Sequence, residues 1–568
     1  MHIDKVPNRG SRPAYLLRES YREGQRVRKR TLANLSSLSE VQIEAIREVL
    51  RGEDVRPVGT LFEAIESKPC GHVRAVRVAM QRLGMARLLA GRSSRQRDQV
   101  LAMIAARVLC PDTKLATTRR WQHSTLADEF GVADAQAEDL YAAMDWLLDR
   151  QDGIQKRLAK RHLTAGSLVL YDLSSSYLEG RHCPLAQLGY NRDGKKGKLQ
   201  VNYGLLTDRQ GCPVAVTVHS GNTADSTTLM PEVDRLREQF ELKDLVLIGD
   251  RGMISQTSIK QLRQLDGLRW ITALKSVSIR KLVQSETLQL GLFDQRNLFE
   301  LTHPDYSGER LIACRNPDLA DHRAAKREAL LQATEAALDK IRERVRQGRL
   351  KGADKIGVAV GKLVDRYKVG KHFVLEIDEQ HFDYQRDLER IANEAALDGL
   401  YVIRTNVEAK TMDGPECVRS YKALANVERA FRSLKTMDLK VRPIHHRLSD
   451  RVRAHVFLCM LAEYVTWHLK EAWRPMLFAD EDQDAKRRRD PVEPAQRSGA
   501  AEQKVHDRMD DDGHPLHSFQ TLLGELASIV RNTCRTPGST GAYASFQITT
   551  TPNAVQQKAL DRVARIKV

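Results

Sequence analysis

Long apolar runs are missing from this chain of 568 residues. The best stretch, HVFLCMLAEYVTWHL, is short and broken by Glu463, so no membrane span and no membrane partner are expected. The opening MHIDKVPNRGSRP lacks the apolar core of a secretory signal, which predicts a cytoplasmic protein. Cysteine is scarce as well. The eight present are scattered with no CxxC pair, which argues against a disulfide scaffold; Cys70 with His72 and His182 with Cys183 are too little for a zinc site. Acidic charge is in deficit, with 91 Lys plus Arg against 74 Asp plus Glu and a net charge of +17. Residues 1–110 alone hold 21 basic and 11 acidic residues. A concentrated basic field attracts polyanions, and nucleic acid is the expected partner.

A chain this long divides into several domains. Residues 12–33 show two runs around a Glu-Gly turn, which predicts a β-hairpin. SEVQIEAIREVLRG reads as a helix capped by Ser39 and closed at Gly52. From Val73 to Leu163 apolar residues recur at three- and four-residue spacing with arginines between them, so 1–163 is expected to be a hairpin and helical DNA-binding region. The texture changes at 167. SLVLYDLSSSYL, LQVNYGLLTD and CPVAVTVHSG are successive strands, followed by a helix, the strand DLVLIGDRG, another helix and the strand LRWITALK. A three-stranded meander followed by alternating helix and strand predicts a mixed α/β sheet flanked by helices, in the element order of a ribonuclease H-like core.

Two of these strands run apolar into an acid, Asp172 and Asp250. At the carboxyl end of a strand in such a sheet an acid faces the ligand crevice. If the strands are neighbours the carboxylates converge and need a cation, a hard divalent metal being the natural one. Either acid alone reads more simply as a turn starter. A third, Glu428, lies in the helical stretch YKALANVERAFRSLK after Gly414-Pro415. Tyr421 and Lys435 stand seven residues to either side, a spacing that returns to within about 20° of the same direction. Arg432, four residues on, shares that stripe. Taken alone, this helix reads as an ordinary solvated charged face.

The ordered set resembles the DDE transposases of bacterial insertion sequences, in the group with a Tyr-x2-Arg-x3-Glu-x6-Lys signature helix. This chain has Tyr421, Leu424, Glu428 and Lys435 at those positions, so the arginine is replaced, with Lys422 or Arg432 as substitutes for its phosphate contact. GNTADS at 221–226 and GDRG at 249–252 also match, and the likeness covers roughly 165–470. It implies Asp172, Asp250 and Glu428 as catalytic metal ligands for two Mg²⁺ ions (Mn²⁺ substituting), with Asp172 between them. It also implies Tyr421, Lys435, Arg432 and Lys422 as DNA contacts, and a homodimer on double-stranded DNA, both transposon ends and target, at the bacterial nucleoid. An insertion domain would follow the fifth strand.

The expected plan is therefore 164–277 and 399–475 as the two parts of the catalytic core, with 278–398 as the insertion. The charged, Pro- and Gly-punctuated residues 476–515 read as a flexible linker, and 516–568 as a C-terminal segment with a helix, FQTLLGELASIVRN, usable in dimerisation. Two other functions stay open: a DNA-binding protein of transposase descent without catalysis, and a metal-dependent nuclease that only hydrolyses.

Overall fold

The computed structural model describes residues 1–8, 12–53, 62–294, 296–480, 489–493, 497–536 and 545–567. Two units divide the chain: Met1–Lys68 with Val530–Thr551, and Pro69–Ile529 with Pro552–Val568. In the first, β1 (His2–Val6), β2 (Ala14–Glu23) and β3 (Arg26–Asn34) form an antiparallel sheet in that order. The hairpin turn needs a positive φ, and Gly24 supplies it at +65°. Ser39 caps the helix Glu40–Leu50, with Gln42 completing a capping box. A second three-stranded sheet starts with β4 (Glu63–Pro69).

The structure splits the expected 1–163 region. Helices Gly71–Arg82, Arg95–Leu109, Ala137–Leu148 and Gln151–His162 all belong to the second unit, with Val76, Val100, Ile104, Leu140 and Leu158 fully buried. They pack with the helix Ser449–Ala472 and with the sheet. Helical periodicity announces a buried face but not which element covers it.

That sheet carries the site. β5 (Ser167–Tyr177), β6 (Gln200–Asp208) and β7 (Pro213–Ser220) form the antiparallel meander, while β8 (Leu245–Ile248) runs parallel to β5 and β9 (Leu268–Ala273) parallel to β8. The order β7-β6-β5-β8-β9 is that of a ribonuclease H-like core, and the fold is ribonuclease H-like. β8 has no polar residue and is buried along its length, as a central strand covered on both faces must be.

Beyond β9 the chain departs from the expected plan. β10 (Leu298–Leu301) and β11 (Arg310–Arg315) fall inside the 278–398 segment but join the main sheet. Helices Pro317–Arg346 and Ala353–Tyr367 with the hairpin of β12 (Phe373–Ile377) and β13 (Phe382–Arg386) then build a separate small core around Leu338, Ile341, Ile356, Val360 and Phe382. β14 (Leu400–Thr405) returns between β9 and β11, making eight strands.

Within 476–515, residues 481–488 and 494–496 lie outside the described residues, but Val492 is fully buried and Gly499–Asp507 is a helix capped by Ser498. The tail helix is shorter than expected, Phe519–Ala527, because β15 (Val530–Arg535) follows and pairs with β16 (Ser545–Thr549). Its apolar side, with Leu522 and Leu526 fully buried, lies on Gly71–Arg82, so the face that suggested dimerisation is covered within the chain. The approach is close enough that a Cβ on Gly71 would meet the Leu526 carbonyl oxygen at 2.3 Å. No helix among the described residues is long and apolar enough to cross a membrane.

Candidate active site

Leu170 on β5 faces Ile248 on β8 at the last parallel pair. Two residues beyond this pair stand Asp172, still on β5, and Asp250, in the segment just after β8. β5 does not stop at its acid, as the apolar run suggested. It continues beside β6 as far as Tyr177, paired with Gln200, while β8 turns away after Ile248. Asp172 therefore marks where the two strands part and the crevice opens. Its Oδ1 accepts the N–H of Leu173 at 2.8 Å. Asp250 Oδ1 accepts the N–H groups of Gly252 and Met253 at 3.0 and 2.7 Å, which fixes the turn below it.

Glu428 enters on the nine-residue helix Leu424–Arg432, held on β5 and β6 by the buried Val427, Ala430 and Phe431. Its carboxylate is exposed and, among the described residues, makes no hydrogen bond or ion pair. Burial pushes the Asp172 carboxyl up to about 7, and the charges of Asp250 and Glu428 push the same way against the Leu173 N–H and Arg192. The Tyr421 hydroxyl goes up to about 12, first by burial and then by Asp250, with Arg251 opposing. All three acids and the tyrosine thus share one electrostatic neighbourhood, and among the described residues Asp172, Asp250 and Glu428 have no ion pair.

The seven-residue argument for Tyr421 and Lys435 fails on the helix itself. Tyr421 belongs to the preceding helix Gly414–Lys422, across a break at Ala423, and Lys435 lies in a π turn, Ser433–Met437, whose wider winding alters the phase. Tyr421 still reaches the acids. Lys435 does not serve as a free cation: its Nζ is 2.9 Å from Asp193 Oδ1, and Arg442 closes on the same oxygen. The Asp193 side chain is 1% exposed and its Oδ2 also accepts the Tyr177 N–H at 3.1 Å. Lys422 points elsewhere, its Nζ donating to the carbonyls of Val492 and Glu493 at 3.4 Å. Leu424 packs against the core. Arg432 is exposed, and its side chain is without a hydrogen bond or ion pair among the described residues.

Sequence reasoning passed over several neighbours. Arg192 beside Asp172 is held by Asp225, the acid of the GNTADS turn. Arg251 follows Asp250 directly and lines a cleft of about 620 Å³ that has Tyr421 at its edge and the small α/β core at 317–395 along one wall. Arg251, Arg280, Arg323, Lys326 and Lys368 border it, and none has an ion pair or side-chain hydrogen bond among the described residues. The Asp and Glu of this lining, Asp398 and Glu394, are already paired with Arg327 and with Lys371. No spacing rule links cations this far apart in sequence.

Three oxygen-rich acids without a cation suit hard divalent ions. They form no single tight cluster. Among the described residues, the groups whose ligand atoms lie within 4.8 Å are His162, Cys212 and His468, and Asp510, Asp512 and His514. The second already holds the Lys558 ammonium, 2.6 Å from Asp510.

Residues 166–463 match the family model of the transposase DDE domain, and residues 3–58 that of the IS1634 family transposase, N-terminal domain. The chain belongs to the DDE transposase family. It is a DNA transposase, a polynucleotidyl transferase of a family that works with divalent metal ions. The match begins just before β5 and ends inside the helix Ser449–Ala472, so it spans the whole catalytic sheet of this transposase. No curated protein matches the chain. Among solved structures, a piggyBac transposase synaptic complex with hairpin DNA is 8% identical over 80% of this chain and 76% of that one, with a TM-score of 0.34. A Mos1 transposase paired-end complex with left transposon end is 10% identical over 52% and 82%, with a TM-score of 0.15.

Proposed function

We propose that this transposase binds the ends of an insertion sequence and cuts and rejoins DNA strands with Asp172, Asp250 and Glu428 as its catalytic carboxylates. The observation that carries the reading is the set of acids itself: Asp172 on β5, Asp250 just after the neighbouring parallel strand β8, Glu428 on the helix packed on β5, and among the described residues no cation ion-paired with any of them. Asp172 would hold two Mg²⁺ ions, with Asp250 on one and Glu428 on the other. Such a pair, when bound, activates an attacking oxygen and stabilises the leaving one at phosphorus. The Tyr421 hydroxyl, kept protonated, donates a hydrogen bond to a phosphate oxygen beside the scissile bond. Arg251, next in chain to Asp250, supplies the cation that Leu424 does not. The other unpaired cations of the cleft hold the strand backbone and so keep the phosphate over the acids. The exposed basic strand β3, with Arg26, Arg28, Lys29 and Arg30, serves end recognition, and two copies hold the two ends of the element.

A strand-transfer assay with pre-cut ends tests the reading. The wild-type protein should join them to target DNA in Mg²⁺, and Asp172→Asn, Asp250→Asn and Glu428→Gln should each still bind ends but neither cleave nor join. Cleavage without joining would identify a hydrolytic nuclease instead, and near wild-type cleavage by any of the three variants would remove that acid from the site.

A further inference from the structure

Behind the Glu428 helix lies a buried polar group of residues that the chemistry above does not use. Ser433 opens the π turn, and its carbonyl accepts the N–H groups of both Asp438 and Leu439. Its hydroxyl oxygen meets two carboxylates, Asp438 Oδ2 at 2.8 Å and Glu463 Oε2. Lys470 Nζ stands 2.6 Å from the same Asp438 oxygen and 3.5 Å from Ser433 Oγ. Asp438 is 6% exposed and Glu463 3%.

A hydroxyl has one hydrogen to give. If both carboxylates were ionised, one of the two close oxygen–oxygen contacts of Ser433 Oγ would have no hydrogen in it and would set lone pairs against a buried negative oxygen, an arrangement that a buried site does not tolerate. The Lys470 ammonium is ion-paired with Asp438 and not with Glu463, so the additional proton belongs to Glu463. The pattern then closes: Glu463 donates to Ser433 Oγ, Ser433 donates to Asp438, and Lys470 donates to Asp438. The groups that face Glu463 are Lys470 on its own helix, Ser433 and Asp438 beside the π turn, and Cys212 from the β6–β7 turn. Gln520 reaches the other Asp438 oxygen, 3.4 Å away, from Phe519–Ala527.

The helix Ser449–Ala472 that carries Glu463 is buried through most of its length and gives a fixed wall. The Glu428 helix has only nine residues, a break before it and the π turn after it, so its ends set its rotation. A misplacement of about 1 Å at a reacting centre costs on the order of 100-fold in rate. We propose that Glu463 is a positioning residue for strand cleavage: as a neutral acid it hydrogen-bonds Ser433 and pins the π turn that aims Glu428. This rests on Glu428 being a catalytic acid.

Single-turnover cleavage by the full-length protein on pre-bound ends tests it with Glu463→Gln, whose amide also donates, and Glu463→Met, which fills the space without a donor. Glu463→Gln should stay within about twofold of wild type at pH 7, and Glu463→Met should lose on the order of 10–100-fold with end affinity unchanged. Wild-type cleavage should fall as the pH rises through about 8, where Glu463 loses its proton, and the fall should vanish in Glu463→Gln. Equal rates for the two variants, or an alkaline fall that persists in Glu463→Gln, would overturn the assignment. Should Glu463→Met not fold, the infrared spectrum decides: a protonated-carboxyl band at neutral pH that Glu463→Gln removes supports the proposal, and its absence in wild type refutes it. Glu428→Gln runs alongside. If it cleaves normally the catalytic reading itself is wrong, whereas a dead Glu428→Gln with a fully active Glu463→Met sinks only the positioning role.

Discussion

Two groups of charged residues on the same sheet invite comparison. At Asp172, Asp250 and Glu428 three acids gather with no cation ion-paired to them among the described residues; at Asp193 one acid, its side chain buried, is closed in by Lys435, Arg442 and the Tyr177 N–H. The second arrangement is complete in the protein alone and holds the π-turn region to the loop after β5. The first is incomplete without something positive. What separates a functional cluster from a structural one here is therefore the missing partner, not the number of charges, and Lys435 moves from one class to the other once its partner is seen.

The largest effect that would sharpen this contrast is catalytic. Asp172→Asn should lower cleavage about 1,000-fold or more, from several kcal/mol of lost charge stabilisation at about 1.4 kcal/mol per decade, with melting temperature held or raised. Asp193→Ala should show the reverse, a stability loss of about 1–3 kcal/mol in denaturant titration, because it leaves two partly buried cations without their carboxylate. If instead Asp193→Ala melts like wild type, the closed cluster is not structural and the comparison breaks.

A smaller effect concerns Asp172 in the absence of divalent ions. Its folded carboxyl holds a proton up to about 7 while the unfolded one releases it near the ordinary value of 3.8. Stability from this group is thus full below about 4 and lost as the pH rises toward 7. Asp172→Asn should melt a few degrees above wild type at pH 8, with the gap closing toward pH 4, and Mg²⁺ should raise the wild-type value only. A gap independent of pH would show that the acid is not strained.

The smallest effects are in salt dependence. Arg323→Ala with Lys326→Ala should reduce the slope of log affinity against log salt by about two ions, whereas Lys435→Ala, already engaged with Asp193, should leave the slope alone and lower stability instead. A slope lowered by Lys435→Ala would return that lysine to the DNA surface.

The core sheet was legible from sequence because apolar strands and Gly-marked turns between 167 and 275 repeat a simple grammar, and β5 beside β8 puts Asp172 and Asp250 where that grammar suggested. The Glu428 helix was legible in its residue, not in its neighbours. Its period runs unbroken through YKALANVERAFRSLK, yet the backbone breaks at Ala423 and widens at Ser433, which no spacing of apolar residues records. Lys435 could not be told from a solvated lysine because its partner lies 242 positions away. β10 and β11 were hidden for a similar reason: strands of four and six residues carry little periodicity of their own. Helices from Gly71 onward looked like DNA readers because arginine on an exposed helix face reads the same whether the opposite face covers a sheet or a partner.

That last group bears on how the protein is made. The helix Gly71–Arg82 is covered by Phe519–Ala527 and by Ala554–Ala564, and Trp473 donates its indole N–H to the Ala559 carbonyl at 3.0 Å. A ribosome releases the first of these partners several hundred residues before the last, and at about 5–20 residues per second the early helices wait for tens of seconds with an apolar side uncovered. Contacts this distant in sequence also slow closure. A truncated transcript therefore yields a chain whose early helices keep an apolar side uncovered, prey for proteases and chaperones.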